Sequence, residues 1–467
     1  MKLVILGGGG FRVPLVFSAV LAARHRVAIT EVVLHDADAA RLSVMHRVLT
    51  AQAERPATDG GARPDGARGS GQAPGPGLRV HATTDLDEAV AGADVIFAAI
   101  RVGGTHGRVL DEQVALKHGL LGQETIGPGG LAYALRTLPM MDHVAARIAE
   151  LAPRAWTINF TNPAGLITEA MRTHLGDRVV GICDTPIGLV RRVARVLGVD
   201  PAAESVQVDY LGLNHLGFLH GLHVEGVDRL PELLADDALL GQIEEARTLG
   251  LDWVRARGAI PNEYLYYYDY AREATATIRG ADQTRGEFLD AQQAAFYLEA
   301  ARAEDPRALW AHTLAEREAT YMAEARDADA SRDDDDLQGG GYHEVAVDLM
   351  AALLAGERHR MILDVANDGI VPTLVDDAVI EVPCVVSEGT IRAEVPPTPL
   401  ALDELALVTA VKSADRGIIC AARSGSRQRA WHAFAVHPLV DSAAVARDLV
   451  DAYIRAHPTI AAVLVEP

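Results

Sequence analysis

A chain of 467 residues exceeds what one ordinary hydrophobic core organises, so two domains are expected, and with 49% of its residues apolar it can bury a large interior. Its 64 acidic residues against 43 Lys and Arg leave a net charge of −21. That argues against nucleic acid or an anionic membrane as the main partner, but leaves room for an anionic small substrate at a local arginine cluster.

The first element is "KLVIL", an apolar run of strand length, followed by "GGGGFRVP" and the helical pattern "LVFSAVLAARH". A second strand, "EVVLHD", ends in Asp36, and "ADAARLSVMHRVLTAQA" reads as a helix. Strand, glycine turn, helix, strand, acid opens a dinucleotide-binding βαβ unit. Residues 56–77 are Gly, Pro, Ala and Arg with little to bury, and predict a flexible surface insertion. The alternation then resumes with strands in "ADVIFAAI", "WTINFT" and "VVGIC", which implies a parallel, doubly wound sheet over residues 1–200. From 201 to 467 the pattern changes to a mixed α+β unit. "SVQVDYLGLNHLGFLHGLHVEG" predicts antiparallel strands, long helical stretches follow around the acidic loop "SRDDDDLQGGG", and "AVIEVPCVVSEGTIRA" returns to strands. No apolar run reaches the roughly 18 residues of a membrane span. The N-terminus lacks a signal peptide's features. Three scattered cysteines, Cys183, Cys384 and Cys420, make no disulfide framework, so a cytoplasmic protein with reduced thiols is expected.

Five constellations carry chemistry. Gly7, Gly8, Gly9 and Gly10, with Phe11 and Arg12 behind them, lie between a strand and a helix, where backbone N–H groups can meet a pyrophosphate. Arg12 stands where the third glycine of the usual fingerprint would be; a tight turn in a nucleotide-free sheet is the alternative. Asp36 is placed to bind ribose hydroxyls, favouring NAD over NADP. Asn162, in "NFTNPAG", follows a strand and can reach a ligand at the strand ends, or simply make an Asn-Pro turn. Cys183 and His215 each follow an apolar segment and are suitable ligands for a divalent cation; two ligands leave positions for substrate, though either residue alone fits a core role. "YLYYYDY" sets five Tyr within seven positions, several for packing, and one able to act as a base if a cation lowers its pKa. Arg101, Arg108 and Arg285 suit bidentate anion binding or surface ion pairs.

In this order and spacing, "GGGG" with Pro14, "IRVGG", "DE", "GQETIGPGG", "LRTLP", "NFTNPAG", "GICDTP", "GLNHLG", "YLYYY" and "TRGE" resemble the NAD- and divalent-metal-dependent glycoside hydrolases of family 4. The resemblance implies a lactate/malate dehydrogenase-like superfold. It implies Cys183 and His215 as ligands of a metal, usually manganese, with Asn162 at the substrate and Arg101 and Arg285 at its phosphate. It places NAD on the glycine loop and Asp36, and names Tyr264 as the base, with Asp184 beside it as a second catalytic candidate. The implied reaction oxidises C3 of the sugar with NAD, removes the C2 proton, eliminates the aglycone, adds water and returns the hydride, outside the usual two-carboxylate scheme. "CDTP" resembles the phospho-sugar branches, and Asp184 the α-enzymes, whereas "GGGGFRVP" is closer to 6-phospho-β-glucosidases. Hydrolysis of 6-phospho-β-glucosides by a homodimer or homotetramer is therefore the expectation. A 6-phospho-α-glucosidase, a malate/lactate-type 2-hydroxyacid dehydrogenase and a non-enzymatic NAD sensor are the alternatives.

Overall fold

The computed structural model describes residues 1–54, 78–319 and 341–465. The insertion expected at 56–77, and nearly all of the acidic run, lie outside the described residues. The first half supplies β1 (Lys2–Leu6), β2 (Glu31–His35), β3 (Arg79–Thr83), β4 (Val95–Ala98), β5 (Trp156–Asn159) and β6 (Val179–Gly181). All pair in parallel, in the order β3-β2-β1-β4-β5-β6. This is the doubly wound order, with its ligand crevice at the carboxyl ends where the order reverses beside β1. The strands β4, β5 and β6 are buried at every position, as strands covered by helices on both faces must be. The helices Val13–Ala22 and Gly127–Leu151 supply part of that cover.

The second half extends the same sheet. The strands β7 (Val206–Leu213) and β8 (Leu216–Val224) form a hairpin, β9 (Val227–Asp228) and β10 (Ile260–Pro261) pair with β8, and β11 (His359–Ala366), β12 (Val379–Ser387) and β13 (Thr390–Ala393) form an antiparallel ribbon. The β11–β12 ribbon is wedged between β6 and β7, touching each through one register pair: Asp364 opposite Gly181, and Glu381 opposite Gly212. Asp364 and Glu381 are also each other's cross-strand partners. Both glycines are sterically required. A Cβ on Gly181 would lie 2.7 Å from the Asp364 side chain, and one on Gly212 would lie 2.2 Å from the Leu216 carbonyl oxygen. The boundary expected at residue 200 falls in the connection between the helix Thr185–Leu197 and β7, and the sheet continues across it.

Two strands differ from the sequence expectation. The strand β3 has no buried position, so it carries no apolar signal; it is held by pairing with β2 at the sheet edge. The strand β11 merges in sequence with the helical stretches before it, and its register comes from β12, not from local periodicity.

Asp364 is buried and neither of its carboxylate oxygens finds a hydrogen bond among the described residues. Burial lifts its pKa from 3.8 to about 7, against the pull of Lys412. The native state therefore keeps a proton that the unfolded chain releases, and this contribution to stability is full below about pH 4 and lost by about pH 7. His215 and His437, both lowered to about 3 by burial, act in the opposite sense. Comparison with Asp364→Asn cancels the histidine contributions and reports the proton held by the Asp364–Glu381 pair. In denaturant unfolding, the stability of the wild type relative to the variant should fall by about 1.4 kcal/mol per pH unit as pH rises between about 4 and 7. A pH-independent difference would refute the assignment.

Candidate active site

A cleft of about 270 Å³ opens at the carboxyl ends of β1, β4, β5 and β6. Gly7, at φ 80°, turns the chain out of β1, and Gly10, Phe11 and Arg12 continue along the cleft wall into the helix Val13–Ala22. The loop is pinned from the second half. The Tyr297 hydroxyl donates to the Gly9 carbonyl at 2.5 Å, the Trp310 indole N–H donates to the Phe11 carbonyl at 2.8 Å, and Phe11 meets Phe296 edge to face at 5.1 Å. Gly8, Gly9 and Asp36 lie behind the wall and do not line the cleft. Asp36 accepts the Gly9 N–H at 2.9 Å on one oxygen and the Asp38 N–H at 3.0 Å on the other. Asp36 thereby supports the glycine turn from the end of β2.

Cys183 follows β6, and His215 occupies the two-residue turn between β7 and β8, with φ 63°. Both line the cleft, with Asn162 and Asp184. Burial keeps the imidazole neutral, its pKa lowered to about 3. Burial, then the charges of Asp184 and Glu381, push the Cys183 thiol well up. The buried Oδ1 of Asn162 finds no hydrogen-bond donor among the described residues. A neutral imidazole, a thiol and an orphaned amide oxygen on one wall fit a divalent cation, which would hold the sulfur as thiolate. Among the described residues no group of three or more His, Cys, Asp or Glu could hold a metal, so open positions would remain for ligand oxygens. Tyr264 stacks on His215, ring centroids 3.8 Å apart and planes within 4°. It arrives there because β10 pairs with β8 and the Asn262 side chain accepts the Tyr264 N–H at 3.0 Å. Tyr267 also lines the cleft. Tyr266, Tyr268 and Tyr270 pack instead: Tyr266 stacks on Tyr270, and Tyr268 on His437.

The arginines Arg101, Arg108 and Arg285 reach the same cleft. Glu124, held down at a pKa of about 2 despite burial, receives Arg101 at 2.5 Å and Arg108 at 2.6 Å. Arg108 also donates to Glu112 at 2.6 Å, and Glu112 accepts the Gly286 N–H at 2.8 Å, fixing the segment that carries Arg285. Thr284 and Glu287 cap the helix Arg285–Ala300 reciprocally, so "TRGE" is a capping box with an arginine at its first helical position. Arg317 lines the cleft too, its pKa lowered to about 9 by burial and the nearby charge of Arg12. Sequence reading missed Arg317 and Glu124. Arg317 sits in an ordinary amphipathic helix with no local signal, whereas Glu124 lay inside the quoted "GQETIGPGG".

Fold and cleft together define a Rossmann-type α/β enzyme with a glycine loop, a Cys–His pair and an arginine cluster in one reaction space. The family 4 glycosyl hydrolase model matches residues 68–199, and the model of that family's C-terminal domain matches residues 210–440. The chain belongs to the family 4 glycosyl hydrolases. It is 31% identical to "Probable 6-phospho-beta-glucosidase" of Bacillus subtilis (strain 168), covering 81% of this chain and 82% of that protein. It is 28% identical to a 6-phospho-alpha-glucosidase of Leptotrichia buccalis, covering 98% and 97%. A solved 6-phospho-beta glucosidase from Thermotoga maritima, with manganese, NAD+ and glucose-6-phosphate, aligns at TM-score 0.79 and 25% identity over 98% of both chains. This membership displaces the dehydrogenase alternative. No helix among the described residues is long and apolar enough to cross a membrane.

The shared carboxylate of Glu124 is what lets Arg101 and Arg108 lie side by side. Glu124→Gln should destabilise the protein by about 3 kcal/mol, since it leaves partly buried guanidinium charge uncompensated. Millimolar inorganic phosphate should restore more stability to the variant than to the wild type in thermal unfolding. No loss of stability would show that the pairing contributes little.

Proposed function

We propose that the protein hydrolyses 6-phospho-β-glucosides with NAD and a divalent cation, manganese foremost. The observation that carries this reading is the convergence of Cys183, His215, Asn162 and Tyr264 with the glycine loop and the arginines on one cleft. Relatives bearing both anomeric names support the phosphorylated glucoside, and the β-enzyme from Bacillus subtilis, at 31% identity against 28% for the α-enzyme, supports β.

Cys183, His215 and Asn162 would hold the cation, and Gly7, Gly10, Phe11 and Arg12 would line the dinucleotide's seat. When bound, NAD supplies a hydride acceptor for C3, which makes the C2 proton acidic, and the cation stabilises charge on the sugar oxygens. Tyr264, fixed against the imidazole of His215, takes the C2 proton as general base. Asp184, on the same wall beside Cys183, gives a proton to the departing aglycone oxygen. Arg101 and Arg285 hold the 6-phosphate, and Phe97 and Phe160 give the cleft an apolar wall.

Chromogenic α- and β-glucosides, with and without a 6-phosphate, assayed with NAD and manganese present or withheld, test the substrate. Turnover confined to the 6-phospho-β compound with both additions is expected; equal efficiency on plain glucosides would sink the phosphate assignment, and preference for the α-compound the anomer. For the base, Tyr264→Phe should lower kcat by about a hundredfold or more with little change in substrate binding. The wild type run in deuterated water should place deuterium at C2 of the released sugar. A product free of deuterium at C2 would refute the elimination; exchange with a fully active Tyr264→Phe would move the role to Tyr267.

A further inference from the structure

At the end of β2 a Rossmann-type site tells the two nicotinamide dinucleotides apart. An acid there reads the ribose 2′-hydroxyl of NAD, and an arginine there accommodates the 2′-phosphate of NADP. This chain has both, Asp36 and Arg41, but turns them in different directions. The carboxylate of Asp36 points into the glycine turn and the start of the next helix, accepting the N–H groups of Gly9 and Asp38, and is absent from the cleft wall. Arg41, in the first turn of the helix Ala39–Glu54, does line the cleft. Its guanidinium lies on the face of Tyr297, 4.3 Å from the ring centroid, and Tyr297 is itself fixed by its hydroxyl to Gly9. It reaches across to the start of the helix Gly104–Lys117, since a Cβ on Gly104 would come within 4.0 Å of its Nη1. No carboxylate pairs with it among the described residues. Asp36 and Asp38, which precede it in sequence, are both engaged with backbone N–H groups: Asp38 accepts those of Ala40 and of Arg41 itself at 3.0 Å.

We propose that Arg41, stacked on Tyr297, is a 2′-phosphate site, so that this protein binds NADP as well as NAD. The inference rests on the dinucleotide reading of the cleft. The guanidinium is pre-oriented by the ring beneath it, so a doubly charged phosphate meets a fixed donor fork and not a mobile side chain.

The test is direct binding to the full chain, followed by calorimetry or tryptophan fluorescence, with NAD and NADP at low and moderate salt. The wild type should bind the two within about tenfold of each other, with NADP the more weakened by salt. Arg41→Ala should weaken NADP by about ten- to a hundredfold, far more than NAD, and Arg41→Lys should recover part of the loss. Thermal unfolding of both variants checks that the fold survives. NAD binding with NADP weaker by more than about a hundredfold in the wild type would overturn the proposal, as would equal losses of both nucleotides in Arg41→Ala. Failure of both nucleotides to bind would overturn the dinucleotide reading itself, and this site with it.

Discussion

The contact on which the cleft depends is a cross-strand pair of acids. Cys183 follows the last strand of the parallel half, and His215 sits in a hairpin of the antiparallel half. Nothing joins those two strands directly; the ribbon of β11 and β12 stands between them. Among the described residues its one register pair with the cysteine side is Asp364 opposite Gly181, and with the histidine hairpin Glu381 opposite Gly212, where in both cases a glycine makes room. Glu381 also accepts the Tyr210 hydroxyl at 2.7 Å and an N–H of Asn214, the residue before His215, at 3.4 Å. Two like charges facing each other in a buried sheet do not both ionise, and burial raises both carboxyl groups. The spacing of the Cys–His pair is thus set by side chains that never enter the cleft.

A second layer of charge surrounds the site. Arg136 is fully buried, bonded to Asp111 at 2.7 Å and to the Val102 carbonyl at 2.8 Å, with its guanidinium over Tyr133. His457, near the C-terminus, approaches the same aspartate at 3.0 Å. Arg101, one residue before Val102, also lies over the Tyr133 ring, 5.1 Å from its centroid, and pairs with Glu124. The loop that carries Arg101 is therefore clamped by a second, partnered cation. Buried pairs of this kind stabilise little against an apolar replacement, but losing one member is costly, so they fix position more than they add stability.

Much of this was legible in the sequence where chemistry and backbone demand coincide. The parallel half declared itself through unbroken apolar runs and the glycine turn, and Cys183, His215, Asn162 and Tyr264 stood out because each follows an apolar strand or breaks a local pattern. The orientation of Asp36 did not: the same residue at the same strand end can face a ligand or the turn beneath it, and only the course of residues 7–10 decides. Nor did β3 and β11, whose strand character comes from their neighbours. Arg317 and Arg41 reach the cleft from plain helices, and no spacing within a helix reveals which of its exposed cations faces a distant strand end. The motif "TRGE" was visible as a unit, yet its threonine and glutamate serve the helix, and its glycine N–H anchors Glu112.

The glycine turn is held shut by two bonds from far along the chain, Tyr297 to Gly9 and Trp310 to Phe11. Residues 7–11 thus take their final shape only against helices some 290 residues further along the chain. The opening βαβ unit is for that reason a poor candidate for exchange between proteins by recombination: moved alone, it would leave behind the phenol and the indole that complete it. The glycine turn is complete only in a chain that continues as far as Trp310.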